Sequence, residues 1–139
     1  MKHETDPVSA DEMLVRLVWG SFYKPAEAPC VRPMAFAPRP NETDGISVFR
    51  LSCLTSAEQA LDVIATEKQP GYGITLIPVA ELLRIGMSVI PTPIPAVPGH
   101  AVIPELNSDR LKAERKTCQD LQMAIAVLAS ADVLRPPKV

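Results

Sequence analysis

The chain holds two histidines, His3 and His100. Imidazole is the side chain whose unperturbed charge change falls near neutral pH. His3 lies in an amino-terminal stretch expected to fray, so any histidine acid or base would be His100. It follows Pro98-Gly99 and precedes an expected strand, with Glu105 further along the same run. That position puts the ring at a strand start beside a stiff loop, where it could line a cleft and move a proton. The plainer alternative is a histidine donating to a backbone carbonyl of the loop. A metal would need further ligands. Asp44, Glu58, Asp62 and Glu105 have no spacing that joins them to His100, so no metal is expected. No Walker A loop or dinucleotide fingerprint is present, Gly71-Tyr72-Gly73 reads as a turn, and no cofactor is expected.

Two arginines stand in the first proline-rich stretch, Arg32 within Val31-Arg-Pro-Met-Ala-Phe36 and then Arg39. On backbone already stiffened by proline, their guanidinium groups could grip a carboxylate or phosphate at small entropic cost. The alternative is solvated charge or a structural salt bridge. Ser47, in Gly45-Ile-Ser-Val-Phe49, matches only the first half of a nucleophile elbow, because Phe49 stands where the second glycine belongs. Pro95-Ala-Val-Pro98 has the form P-x-x-P but lacks a basic flank, and reads as a connector.

The elements that must position these residues follow from composition and periodicity. A chain of 139 residues that is 47% hydrophobic and 22% charged fits a single domain, with 1–8 and 135–139 expected to fray. Proline is the outlier, 15 against 6 glycines, and five of them fall between Lys24 and Pro40. Each removes a backbone donor and fixes φ, so no ladder runs through that stretch or through Pro91–Pro98. Both read as long ordered loops.

Ser9-Ala-Asp-Glu12 has capping-box form and predicts a helix over 11–18, while the alternation of Leu14, Arg16 and Val18 with Val15, Leu17 and Trp19 predicts a strand. A short helical turn followed by a strand reconciles the two. Ile46–Leu51 is expected as an internal strand, after a turn in which Gly45 suits positive φ. Thr55-Ser-Ala-Glu58 predicts a helix reaching Lys68, and Ile74–Ile77 a buried strand. A helix from Pro78 to Gly86, a strand at Met87–Ile90 and a strand at Ala101–Ile103 follow. The clearest element is a long C-terminal helix capped by Asn107 or Ser108, with Leu111, Cys118, Leu121, Ile125 and Leu128 on one face. Its second half is apolar almost all round, so it is expected to be buried in the domain or in a homodimer. The order predicts an α/β fold, α+β being the variant, with helices packed on a small mixed sheet.

A net charge of -2 carries no basic stripe, so nucleic acid is not an expected partner. The longest apolar run, Met123–Ala129, is too short for a membrane span, and no secretory h-region follows Met1, so a cytoplasmic protein is expected. Cys30, Cys53 and Cys118 are widely spaced and read as reduced, buried small hydrophobes.

Arg32-Pro33 with Ala35-Phe36, Ser47-Val48, and Pro93 with Pro98 and His100-Ala101 resemble motifs of a family of small bacterial proteins without an assigned activity. Leu17-Val-Trp19 matches an early strand of that family loosely, and the likeness spans roughly residues 13 to 105. Met34 replaces a serine pair and Thr92 stands where the family often has aspartate. The resemblance implies a shared bacterial fold and draws attention to Arg32, Phe36, Ser47 and His100.

Two functions remain. One is a ligand-binding or protein-interaction module in which the Arg32–Phe36 loop meets the Pro98–His100 loop over the sheet, with Arg39 and Ser47 contributing. The other is a small transferase or hydrolase for an anionic or nucleotide-like substrate, with Arg32 binding and His100 as acid/base. They differ in whether Arg32 and His100 converge on one cavity.

Overall fold

The computed structural model describes residues 3–138. Its strands are β1 (Met13–Trp19), β2 (Ile46–Arg50), β3 (Tyr72–Pro78), β4 (Ile90–Pro91), β5 (His100–Ile103) and β6 (Val133–Arg135). The helices are α1 (Val79–Arg84), α2 (Ser108–Ala113) and α3 (Arg115–Ser130). The strands form one sheet in the order β4-β5-β2-β1-β3-β6. The α/β class stands, and every pairing is antiparallel where a mixture of directions was expected. The reason is connectivity. α1 leads from β3 to β4 and α2 with α3 leads from β5 to β6, strands on opposite sides of the sheet. Neither helix is therefore a crossover between parallel neighbours.

Alternation along the strands divides two cores. Leu14, Val18, Ile46, Val48, Ile77, Ala101 and Ile103 face α3, where Cys118, Ile125, Ala126 and Ala129 meet them with Phe36. Val15, Phe49 and Ile74 face the other way, under Leu54, Ala57, Ala60, Leu61 and Val97. The strand expected at Met87–Ile90 is instead β4, which begins at Ile90 and runs into the first proline of the second stretch as an edge strand on β5, and three further elements differ from their sequence patterns. The segment after Thr55 is two 3₁₀ turns, Ala57–Val63 and Thr66–Gly71, because the Thr55 N–H is taken by Gln59 Oε1 at 2.8 Å and the expected capping box does not form. The long terminal helix is broken at Glu114 (φ -134°, ψ 56°) into α2 and α3, with Asn107 Oδ1 accepting from Arg110 N at 2.8 Å as the cap. The chain also adds β6 at an edge. α3 turns most of its apolar half into its own sheet, leaving Met123 and Val127 exposed.

Ser9 and Glu12 make half of a capping box, Ser9 N donating to Glu12 Oε2 at 2.8 Å while Glu12 N donates to the Ser9 backbone carbonyl at 3.1 Å in a turn, and β1 follows at once. The competing β pattern wins because Leu14 and Val15 are wholly buried on opposite sheet faces. The first proline-rich stretch carries a 3₁₀ turn at Pro33–Phe36 and one isolated bridge, Tyr23 to Val31. Among the described residues no helix is long and apolar enough to cross a membrane. Cys30, Cys53 and Cys118 are free thiols.

Candidate functional site

The site begins where the sheet is interrupted. β1 and β2 pair at Leu14–Arg50 and Val15–Phe49, and there the register ends. Arg50 N donates to Gly99 O on the β5 side, so by alternation the Ser47 carbonyl faces β1. That carbonyl accepts from Arg16 Nη1 at 2.6 Å. Arg16 Nε and Nη2 both donate to Ala35 O, and the guanidinium carbon lies 5.6 Å from the centre of the Phe36 ring. An arginine head thus replaces backbone pairing between the two central strands, held by carbonyls and an aromatic face. Burial holds Arg16 down at about 10, the Glu42 charge pulling it up and the Arg39 charge pushing it further down. It is still a cation at neutral pH. Among the described residues no carboxylate lies within ion-pair distance of it.

On the other face of the same strands stands His100, directly opposite Phe49 on β2 and edge-on to its ring, 5.4 Å between centroids. Ser47 is diagonal to it, two residues along β2, within the reach of cross-strand neighbours. His100 Nε2 and Ser47 Oγ are 3.0 Å apart. On its far side, His100 Nδ1 lies 2.8 Å from Thr92 O and 2.9 Å from Thr92 Oγ1. A carbonyl only accepts, so Nδ1 carries the proton, Nε2 presents its lone pair, and the Ser47 hydroxyl donates to it. Pro91 and Pro93 fix the backbone on either side of Thr92 and so aim that carbonyl. Gly99 turns the chain into β5 with φ 83°, and a Cβ there would stand 2.7 Å from Cys53 Cβ.

The two constructions share a cavity of about 310 Å³ lined by Arg16, Arg39, Glu42, Ser47 and His100, with Leu17, Phe49, Val63, Ile64, Tyr72 and Ile94 as its apolar walls. Glu42 Oε1 accepts from Arg39 N at 2.8 Å, closing the turn that brings both side chains to the rim. Two guanidinium groups face one carboxylate, so the lining carries one net positive charge when His100 is neutral. An anion with an apolar body matches it.

Of the residues singled out from the sequence, His100, Ser47 and Arg39 therefore line one cavity. Arg32 does not. Its Nη1 donates to Pro29 O at 3.1 Å and lies 3.7 Å from Glu27, so its own proline-rich loop takes it up. Phe36 is wholly buried in the α3-side core and supports Arg16 instead of meeting a ligand. Glu105 accepts from Ser88 N and Oγ at 2.7 and 2.6 Å and has no part in the site. Among the described residues no cluster of ligating side chains could hold a metal. Arg16 and Thr92 were missed. Arg16 had a signal, because it shares the alternation of Leu14 and Val18 and so stands at a core-facing position of a strand. Thr92 acts mainly through its carbonyl, which carries no sequence signal.

No family model matches the chain, and no curated protein or solved structure matches it.

Proposed function

We propose that the domain binds a small anionic ligand, a carboxylate or phosphate on an apolar body, in the cavity between β1 and β2. What carries this reading is Arg16: a cation in the middle of the sheet whose hydrogen bonds all go to neutral carbonyls. Three of its N–H groups are so engaged, and guanidinium has five. The remaining two, with Arg39, supply the donors that a carboxylate or phosphate takes in pairs. Leu17, Phe49 and Ile94 supply the contact for the ligand's apolar part. This replaces the pairing of Arg32 with His100 by one of Arg16 and Arg39 with Ser47 and His100. A cavity of about 310 Å³ lies in the range of small-molecule sites and favours a small molecule over a protein partner.

Thermal denaturation with small carboxylates and phosphate monoesters tests it. A ligand present at about 100 times its Kd should add about 2.7 kcal/mol to stability. The shift should disappear in Arg16→Met and shrink in Arg39→Gln, with no change in Arg32→Ala. Loss in Arg32→Ala together with retention in Arg16→Met would overturn the assignment.

The Ser47–His100 contact favours a second reading, a hydrolase or transferase acting on such a ligand.

A further inference from the structure

The geometry points to Ser47 as a nucleophile activated by His100, in a domain that cleaves small carboxylic esters bearing a second, anionic group. The inference rests on the anion-binding reading, because Arg16 and Arg39 would hold that group. Three adjacent strands or strand ends set the atoms in line: Thr92 O, His100 Nδ1–H, His100 Nε2 and Ser47 Oγ–H, with separations of 2.8 Å and 3.0 Å. This is the order of orienting acceptor, base and nucleophile that serine activation needs, with a backbone carbonyl in the orienting place. A histidine serving only to tie the loop down would need the Thr92 contact alone. Here the second ring nitrogen, Nε2, meets a hydroxyl whose residue lines the cavity.

The chemistry balances with water as the only co-reactant. Ser47 Oγ attacks the ester carbonyl carbon as its proton passes to His100 Nε2. The tetrahedral adduct collapses, the bond to the alcohol oxygen breaks, and that oxygen takes the proton from Nε2. Water then attacks the acyl-serine, giving a proton to Nε2. Ser47 Oγ leaves and recovers that proton, so ester and water become carboxylic acid and alcohol.

The test uses the native full chain and a neutral fluorophosphonate, with intact mass and peptide mapping as readout. One phosphonyl group per chain is expected on Ser47, and none on the same chain unfolded in urea. His100→Gln should slow labelling by at least about 100-fold. Because that variant could fail to fold, Ser47→Cys gives an independent check: its thiol should be alkylated by iodoacetamide faster than Cys30, Cys53 and Cys118. The p-nitrophenyl monoester of succinic acid should be cleaved about tenfold better than p-nitrophenyl butyrate, and Arg39→Gln should erase that preference. An unlabelled Ser47 in a chain still stabilised by succinate overturns the nucleophile and leaves the anion site standing. A labelled Ser47 with neither succinate stabilisation nor ester preference overturns the anion site and the substrate class, leaving the nucleophile.

Discussion

β1 and β2 are joined between two arginines of opposite fate. At one end Arg50, fully buried, meets Glu12 through two parallel bonds, Nε to Oε1 at 2.8 Å and Nη2 to Oε2 at 2.9 Å. Its remaining donors reach the carbonyls of Glu4, Asp6 and Pro7, which fastens the amino-terminal stretch. At the other end Arg16 meets only Ala35 O, Ser47 O and the Phe36 ring, and a cavity opens beside it. The same residue type in the same pair of strands thus makes a closed strut in one place and an open cation in the other. The difference is the carboxylate. A buried guanidinium already neutralised has nothing to offer a ligand, whereas one held by neutral dipoles keeps its charge for an anion.

The strut end should show the larger effect. Glu12→Gln leaves the fully buried Arg50 guanidinium without its ion-pair partner and is expected to cost about 3–5 kcal/mol, read from the midpoint of urea unfolding. If it costs under about 1 kcal/mol, as exposed pairs do, the contrast between the two ends fails.

Acid should undo the same end. Burial alone would raise Glu12, but the hydrogen bonds from Arg50, Ser9 and Ser52 and the Arg50 charge outweigh it and hold the carboxyl at about 2, against an ordinary 4.5. A carboxyl lowered on folding stabilises the protein fully above its unfolded value and loses that contribution as the pH falls toward the folded one. The window therefore runs from about 4.5 down to about 2 and holds about 3 kcal/mol. Urea midpoints taken across that range should fall in the wild type and change much less in Glu12→Gln.

Arg16→Met is expected to cost less, about 1–2 kcal/mol, because it removes hydrogen bonds to two carbonyls without orphaning a charge. Ser47, one of the two residues whose carbonyls it leaves, lines the cavity. Equality with Glu12→Gln would make Arg16 a second strut and remove the basis of the anion site.

The sequence shows why one end was easier to read. The strands and their faces follow from alternation, and Ser47 and His100 stand at positions whose chemistry is visible in their residue types. Their proximity was not legible, because it depends on the register of β2 against β5. The proline excess acquires a physical meaning here. Proline removes N–H groups and keeps carbonyls, so such segments hold surplus acceptors. Ala35 O in the first stretch takes Arg16, and Thr92 O in the second takes Nδ1 of His100. Pro29 O takes Arg32 by the same logic, so that one of the two arginines of this stretch is consumed structurally. From residue types alone, Arg32 and Arg16 could not be ranked. That Arg16 meets Ala35 O depends on the 3₁₀ turn at Pro33–Phe36, which holds that residue.

Arg39 gives the smallest stability effect and the sharpest functional one. Its side chain is exposed and no salt bridge to it is seen among the described residues, although its backbone N–H is fixed by Glu42. Arg39→Gln should change stability by less than about 0.5 kcal/mol, the usual range for surface substitutions. Yet it removes one of the two cations that outweigh Glu42 at the cavity, leaving the lining with no net charge. Calorimetric titration with a carboxylate ligand should therefore show binding weakened by about tenfold, or 1.4 kcal/mol, in a protein whose urea midpoint has not moved. A loss of stability in step with the loss of binding would mean that Arg39 holds its loop and does not meet the anion, and the open end of the strand pair would then depend on Arg16 alone.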